Sequence, residues 1–320
     1  MRKKIRSILT CSDEDLIYWC LQTGILKKPA YCKICRKQTG KINSYKLFGA
    51  KAYFDNFAWR CKDKNCKNIV YLRKDNKFLE KFSKINLRVL LIYIFTQFCF
   101  LVPPKTSSGT LGLNFDTLRQ VSDLLNQWIV KNQKIEEVFQ GKFGGKNEIV
   151  EIDESCFFRR KFNKGRLLKQ VWVFRIAERV RGRLFLEIVE KRDRKTLLPL
   201  IQKRISKETQ YLISDEWRVY QKLKSLGFNH DSVNHSKNFT NPENPLIHTQ
   251  TIENRWGQIK LMIKKMGRIS RDKFPQKSKE ITWRIQNRDN IQDALLEIII
   301  KNIHNIHNIE KNKEINKTCI

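Results

Sequence analysis

The chain has 320 residues and carries 64 Lys and Arg against 32 Asp and Glu, a formal net charge of +32. Charge of that sign draws a protein to polyanions and releases their counterions, so nucleic acid is the expected partner. With 41% hydrophobic and 11% aromatic residues there is material for a substantial core in two or three domains, which excludes a merely solvated basic tail.

AT-biased coding also inflates Lys, Asn and Ile, but it does not account for the shortage of acids. No secretory signal is visible: Met1-Arg2-Lys3-Lys4 is followed only by Ile8-Leu9-Thr10-Cys11 before Asp13-Glu14-Asp15. The most apolar run, Val89 to Val102, stops at Pro103-Pro104. It is shorter than the ~20 residues a bilayer span needs, so it reads as a buried helix and no membrane partner is expected. An intracellular setting would keep the nine cysteines reduced.

In chain order, Ser12-Asp13-Glu14-Asp15 looks like a capping box. The apolar residues 16–21 and Gly24 then complete a short amphipathic helix, so residues 1–28 form an N-terminal helical segment. Residues 29–72 form a cysteine-bearing module. Residues 73–140 are a helical connector with a long helix from about Ser83 to Phe100. Within it, Leu118, Val121, Leu124, Leu125 and Trp128 recur at helical spacing behind Asn114 or Asp116. This reads as the second half of a helix-turn-helix that enters a major groove, or equally as an ordinary connector helix.

Gly141, Gly144 and Gly145 mark a linker, after which the pattern turns to strands. Residues 148–153, 171–177 and 184–189 read as strands, the last two joined as a hairpin across Arg181-Gly182. Residues 195–205 read as a helix, 211–215 as a strand and 217–226 as a helix. That order is α/β and ribonuclease-H-like, with its first and fourth strands parallel neighbours and their C-terminal ends together. Residues 229–248 read as a polar loop. Residues 291–320 read as a low-complexity tail, in which His304 and His307 are more simply frayed than metal-binding.

Three acids stand out in a chain with few to spare. Asp153 closes the strand Ile149–Asp153, Asp215 closes Tyr211–Asp215, and Glu253 opens an amphipathic helix along which Lys260 follows two turns later on the same side. Two-metal phosphoryl transfer needs such clustered carboxylates to hold two Mg²⁺ ions roughly 3.5–4 Å apart. Asp153 would lie between the ions, Asp215 on one and Glu253 on the other, with Lys260 on a phosphate near the scissile bond. Glu151, one step back on the face of Asp153, is a candidate second ligand shell; Glu154 and Glu216 should point to the opposite face. His235 and His248 flank the third acid and either touch substrate or are loop histidines satisfied by hydrogen bonds.

Cys32-x-x-Cys35 and Cys61-x₄-Cys66 form two knuckles 25 residues apart, with aromatic strand-like runs between. Four thiolates so arranged suit tetrahedral Zn²⁺ and read as a zinc ribbon; a redox CxxC would leave Cys61 and Cys66 unexplained. Cys11, Cys20, Cys99, Cys156 and Cys319 have no partner spacing.

Four motifs now stand in order: Val150-Glu151-Ile152-Asp153-Glu154-Ser155, Ile213-Ser214-Asp215-Glu216-Trp217-Arg218-Val219-Tyr220, Val233-Asn234-His235-Ser236, and the run from His248 to Lys260. Together they resemble the ISXO2-like DDE transposase domain of a bacterial insertion-sequence family and of the eukaryotic Merlin DNA transposons, over about residues 145–290. The resemblance implies a ribonuclease-H-like core using Mg²⁺ or Mn²⁺, double-stranded transposon-end and target DNA as partners, and cut-and-paste transposition at terminal inverted repeats. By position, Asp153, Asp215 and Glu253 become the metal ligands and Lys260 the basic follower. A homodimer or higher synaptic oligomer is expected, because two ends must be paired. A domesticated DNA-binding descendant without catalysis is the alternative. The location would be the nucleus in a eukaryotic host and otherwise the cytoplasm or nucleoid. The chain departs from the family pattern after Asp153, where Cys156-Phe157-Phe158-Arg159-Arg160 replaces small, glycine-rich residues.

Overall fold

The computed structural model describes residues 7–39, 44–132, 142–157, 170–233, 244–267 and 269–303. His235, His304, His307 and Cys319 lie outside the described residues. The chain divides into two compact units, Met1–Trp128 with Asp289–Ile320, and Ile129–Arg288.

In the first unit, α1 (Asp13–Gln22) starts where Ser12 accepts the Asp15 N–H at 3.1 Å, and Gly24 follows its end at φ +83°. This is the capping expected from the sequence. Helix α2 (Lys33–Thr39) precedes a three-stranded antiparallel sheet of β1 (Tyr45–Gly49), β2 (Phe57–Cys61) and β3 (Ile69–Tyr71). The helix expected from about Ser83 begins later. A short α3 (Lys77–Lys81) comes first, and α4 runs Leu87–Phe100 from an Asn86 cap to Leu101 in the left-handed region. Leu90, Leu91, Ile94, Phe95 and Phe98 of α4 are buried. No helix among the described residues is long and apolar enough to cross a membrane. Helices α5 (Pro104–Leu111) and α6 (Phe115–Asn132) follow, and the Tyr93 hydroxyl ties α4 to α6 by donating to the Leu118 carbonyl at 2.8 Å.

The second unit is built on a five-stranded mixed sheet of β4 (Ile149–Phe157), β5 (Val171–Glu178), β6 (Leu184–Val189), β7 (Tyr211–Asp215) and β8 (His230–Val233). The spatial order is β6-β5-β4-β7-β8. The first three strands are antiparallel neighbours, while β4–β7 and β7–β8 are parallel. This is the α/β order expected from the sequence, with the first and fourth strands parallel neighbours. Period-two alternation sends Val150, Ile152, Phe174 and Ile176 to one face, where they pack with Leu197 and Ile201 of α7 (Arg194–Arg204). Val173 and Ala177 go to the other face, against Ile252, Trp256 and Ile259 of α8 (Gln250–Lys265) and Phe274, Ile281 and Ile285 of α9 (Phe274–Gln286).

Four local readings are corrected. The strand expected to close at Asp153 runs on to Phe157 through continued pairing with β5, so Asp153 lies mid-strand. The helix expected over 217–226 is a series of turns around one 3₁₀ turn, Tyr220–Lys222. The Asp215 carboxylate accepts the Trp217 N–H at 3.1 Å, and such local side-chain bonding competes with a helix. The polar loop expected from Asn229 contains β8, whose His, Asp and Ser side chains hide a strand held by main-chain pairing to β7. The tail expected from 291 begins instead with helix α10 (Ile291–Ile303), which buries Ile291, Leu295, Ile299 and Ile303 within the first unit. Isoleucine repeated at helical spacing makes one side of α10 a core face.

Candidate functional site

Strands β4 and β7 run parallel with Glu151 opposite Ile213. Carried two residues further, that register sets Asp153 level with Asp215, and alternation places both on the α8 face of the sheet. The neighbouring charges are felt at Asp153. Burial raises its pKa first of all, and the Asp215 charge adds to the rise. The Trp256 indole, the Glu154 backbone N–H and the Arg175 charge work the other way.

Glu253 sits in the first turn of α8, and a buried frame brings that turn to β4. Glu151, fully buried, accepts the Ile252 N–H at 2.6 Å through Oε2 and the Arg179 Nε–H at 2.6 Å through Oε1. A carboxylate at a helix N-terminus satisfies orphan donors and suits the helix dipole. Arg175, opposite Asp153 across the β4–β5 ladder, donates to the Ile252 carbonyl and lies 4.3 Å over the Trp256 ring. Trp256 closes the frame, its Nε1–H donating to Asp153 Oδ2 at 2.7 Å. Glu253, one turn before Trp256, is exposed and accepts from the Thr249 hydroxyl at 3.4 Å. Lys260 lies further along α8 and is also exposed.

Arg192 approaches from the other face. Its Nε donates to Glu154 Oε2 at 3.1 Å, and a terminal nitrogen lies 3.8 Å from Asp215 Oδ2. The guanidinium rests 3.8 Å over the Trp217 ring and 5.2 Å from that of Trp172. Burial pushes the Glu154 carboxyl up to about 8, against the pull of Arg192. Glu154 is thus on the opposite face from Asp153, as alternation required. His248 is held by Arg179, 3.2 Å from its Nδ1, and by the Gln250 N–H at 3.3 Å. Burial first, then the Arg179 charge, lower its pKa.

Asp153, Asp215 and the Glu253-bearing turn therefore share one face and one end of the sheet. Among the described residues, the group of three or more ligand atoms gathered within 4.8 Å is the cysteine one, so the acids are neighbours less tightly drawn together than the thiols. The donor set fits a hard divalent cation. Each Asp153 oxygen accepts one N–H, from Trp256 at Oδ2 and from Glu154 at Oδ1, and keeps a further lone pair. The charge of Asp215 raises the pKa of Asp153, and a cation between the two carboxylates would relieve that repulsion.

Sequence reading placed Trp256 only on an apolar face and passed over Arg175, Arg179 and Arg192. Their roles depend on partners 22 to 103 positions away, and no local pattern carries that. Glu151, read as a second ligand shell, instead anchors α8.

In the first unit the four candidate zinc ligands converge. The Cys32 and Cys66 sulfurs are 3.7 Å apart and those of Cys35 and Cys61 are 3.5 Å apart, and all four lie within 4.8 Å of one another. Thiolates at ~2.3 Å from one tetrahedral Zn²⁺ stand roughly 3.8 Å apart, so the spacing fits. Burial raises the Cys32 thiol pKa, but backbone N–H groups and the Asn68 and Tyr45 side chains outweigh it and bring it to about 6. Burial raises that of Cys61.

The extent of these motifs decides the family comparison. Residues 146–286 match the ISXO2-like transposase domain. The transposase domain so defined holds Asp153, Asp215, Glu253 and Lys260 and all five strands of the second unit. No curated protein matches the chain. Among solved structures, the HTLV-2 integrase catalytic core domain in complex with magnesium (dimeric form) aligns at 11% identity and a TM-score of 0.25, over 49% of this chain and 85% of that one. The simian T-cell lymphotropic virus intasome in complex with PP2A regulatory subunit B56 gamma aligns at 16% identity and a TM-score of 0.26, over 52% of this chain and 51% of that one.

Proposed function

We propose that this chain is a metal-dependent DDE transposase that cuts DNA at terminal inverted repeats and joins the freed 3′-hydroxyl to target DNA. The observation that supports the reading is the parallel register of β4 and β7, which carried two residues past Glu151–Ile213 sets Asp153 level with Asp215, with the Glu253 turn pinned to β4 by Glu151. Asp153, Asp215 and Glu253 would hold two Mg²⁺ or Mn²⁺ ions, which supply Lewis-acid polarisation of the scissile phosphate and activation of the attacking oxygen. Trp256 and the Glu154 N–H fix the Asp153 carboxylate so that it would meet a metal ion without rearranging. Lys260, exposed on the helix that carries Glu253, would bind a flanking phosphate.

Around this core, residues 29–72 are proposed as a zinc ribbon through Cys32, Cys35, Cys61 and Cys66. Residues 73–140 are proposed as a helical DNA-binding connector behind the N-terminal 1–28. The net charge of +32 supports a double-stranded DNA partner. A homodimer or larger synapse would pair two ends, in the nucleus of a eukaryotic host or otherwise in the cytoplasm or nucleoid.

The test is strand transfer by purified protein with Mg²⁺ or Mn²⁺ on DNA ending in the element's own inverted repeats, beside Asp153→Asn, Asp215→Asn and Glu253→Gln. Metal-dependent joining that each substitution abolishes is expected. Tight binding without cleavage, unchanged by the substitutions, would show a domesticated DNA-binding protein instead.

A further inference from the structure

A cavity of about 440 Å³ shares Asp215 with the candidate active site and extends away from it between Glu216, Trp217, Tyr220, Gln221, Lys224, His230 and Ser232. Its size is that of a small-molecule pocket. Its lining is unusual in one respect. Tyr220 is 1% exposed, yet its hydroxyl has no hydrogen-bond partner among the described residues. A buried hydroxyl without a partner is destabilising, and such groups are rare in folded proteins. The Tyr220 side chain lines a polar cavity beside groups that are themselves fixed. The His230 imidazole is held to the Ser214 hydroxyl at 2.9 Å, and the Trp217 ring is pinned between the Arg192 guanidinium and the edge of Tyr220. Lys224 is 68% exposed and only loosely paired, at 3.4 Å, with Asp231.

Aromatic walls, hydrogen-bonding groups in the interior and an exposed ammonium are what a nucleotide asks of a site: stacking and edge contacts for the base, a cation for its phosphate. Enzymes that act on duplex DNA reach otherwise hidden groups by turning a nucleotide out of the stack. Because Asp215 belongs to both walls, a base in the cavity would lie next to the phosphate that Asp215 serves. We propose that the cavity receives the base of one nucleotide flanking the scissile phosphate, extruded from the DNA, with the Tyr220 hydroxyl bonded to its edge. This rests on the transposase reading and deepens it.

The experiment places 2-aminopurine in turn at each position flanking the cut in a duplex ending in the element's inverted repeat, and follows its fluorescence on binding the full chain. A several-fold rise at one flanking position is expected with wild type. Gln221→Trp, which fills the cavity from an exposed position, should abolish the rise while duplex binding measured by anisotropy is retained. Tyr220→Phe should weaken the rise without loss of fold, since it removes a hydroxyl that the folded protein leaves unbonded. If wild type binds and cuts the duplex and no position brightens, or the rise persists in Gln221→Trp, the cavity is not a base site and the transposase reading stands. If wild type does not cut with Mg²⁺ or Mn²⁺, the transposase reading itself fails and this inference falls with it.

Discussion

The Trp256 indole N–H donates to Asp153 Oδ2 at 2.7 Å, linking a helix to a strand 103 positions away in sequence. The bond fixes the orientation of one candidate metal ligand from the helix that delivers another. It also explains why an indole, rather than a phenyl ring, occupies a position that apolar packing alone would leave open.

Trp256→Phe keeps the packing against Val173 and Ile259 and removes the N–H. Partners that orient a metal ligand typically contribute about 10–100-fold to activity or affinity, and strand transfer by this variant should fall by that order. Its thermal unfolding should change little. Joining assays across a Mg²⁺ titration would check it, and wild-type activity in Trp256→Phe would remove the indole from the site.

The cysteine cluster should hold one zinc per chain, because its sulfur spacing is that of a tetrahedral site. Cys35→Ser should lose that metal. Chelation should expose the amides of β1–β3 to hydrogen exchange, since binding energy at such a site is folding energy. Elemental analysis of the purified protein is the check. Full exchange protection of β1–β3 in a zinc-free preparation would contradict it.

Arg73 is 2% exposed and forms a two-pronged ion pair with Asp55, its Nε lying 2.7 Å from Oδ2, while also donating to the Phe82 carbonyl at 3.0 Å. Removing one partner strands a buried charge and leaves carbonyls unbonded. Arg73→Met should cost about 3–5 kcal/mol. Replacing Asp55 as well should recover part of that loss. Denaturant unfolding read by hydrogen exchange in the first unit would measure both.

His230 is 5% exposed, and burial lowers its pKa from 6.5 to about 4. The unfolded chain takes up the proton near 6.5 and the folded chain only near 4. The stability contributed by the neutral imidazole is therefore complete above the unfolded pKa and is lost as pH falls through that window. The loss is on the order of 3 kcal/mol at most. Glu154, whose pKa is raised to about 8, changes stability in the opposite sense: its contribution is full below the ordinary carboxylate range and fades as pH rises toward 8. The quantity to measure is thus the difference between wild type and His230→Asn. That difference should shrink between pH about 6.5 and 4, and a flat difference would mean that the imidazole is not held neutral.

Much of the site was legible because its signals are local. An acid behind an apolar run shows at Asp153 and at Asp215, and a knuckle shows as cysteine spacing. The strand order of the second unit followed from the succession of patterns, since short connections restrict the available topologies. What stayed hidden was either polar where structure was expected to be apolar, as in β8, or apolar within a stretch read as a low-complexity tail, as in α10.

By itself, the sequence determined the charge that selects a polyanion, the three acids behind two apolar runs and in the first turn of an amphipathic helix, and the four thiols with ligand spacing. Each is a property of composition or of a few adjacent residues. Only the tertiary structure decided that Asp153 and Asp215 stand level, that Glu151 and Arg175 hold the Glu253 turn to β4, and that Arg192 reaches Asp215 between two tryptophans. Strand register and helix docking join residues dozens of positions apart. Their partners are chosen by the burial of both faces of one sheet, a condition that no window of the sequence contains.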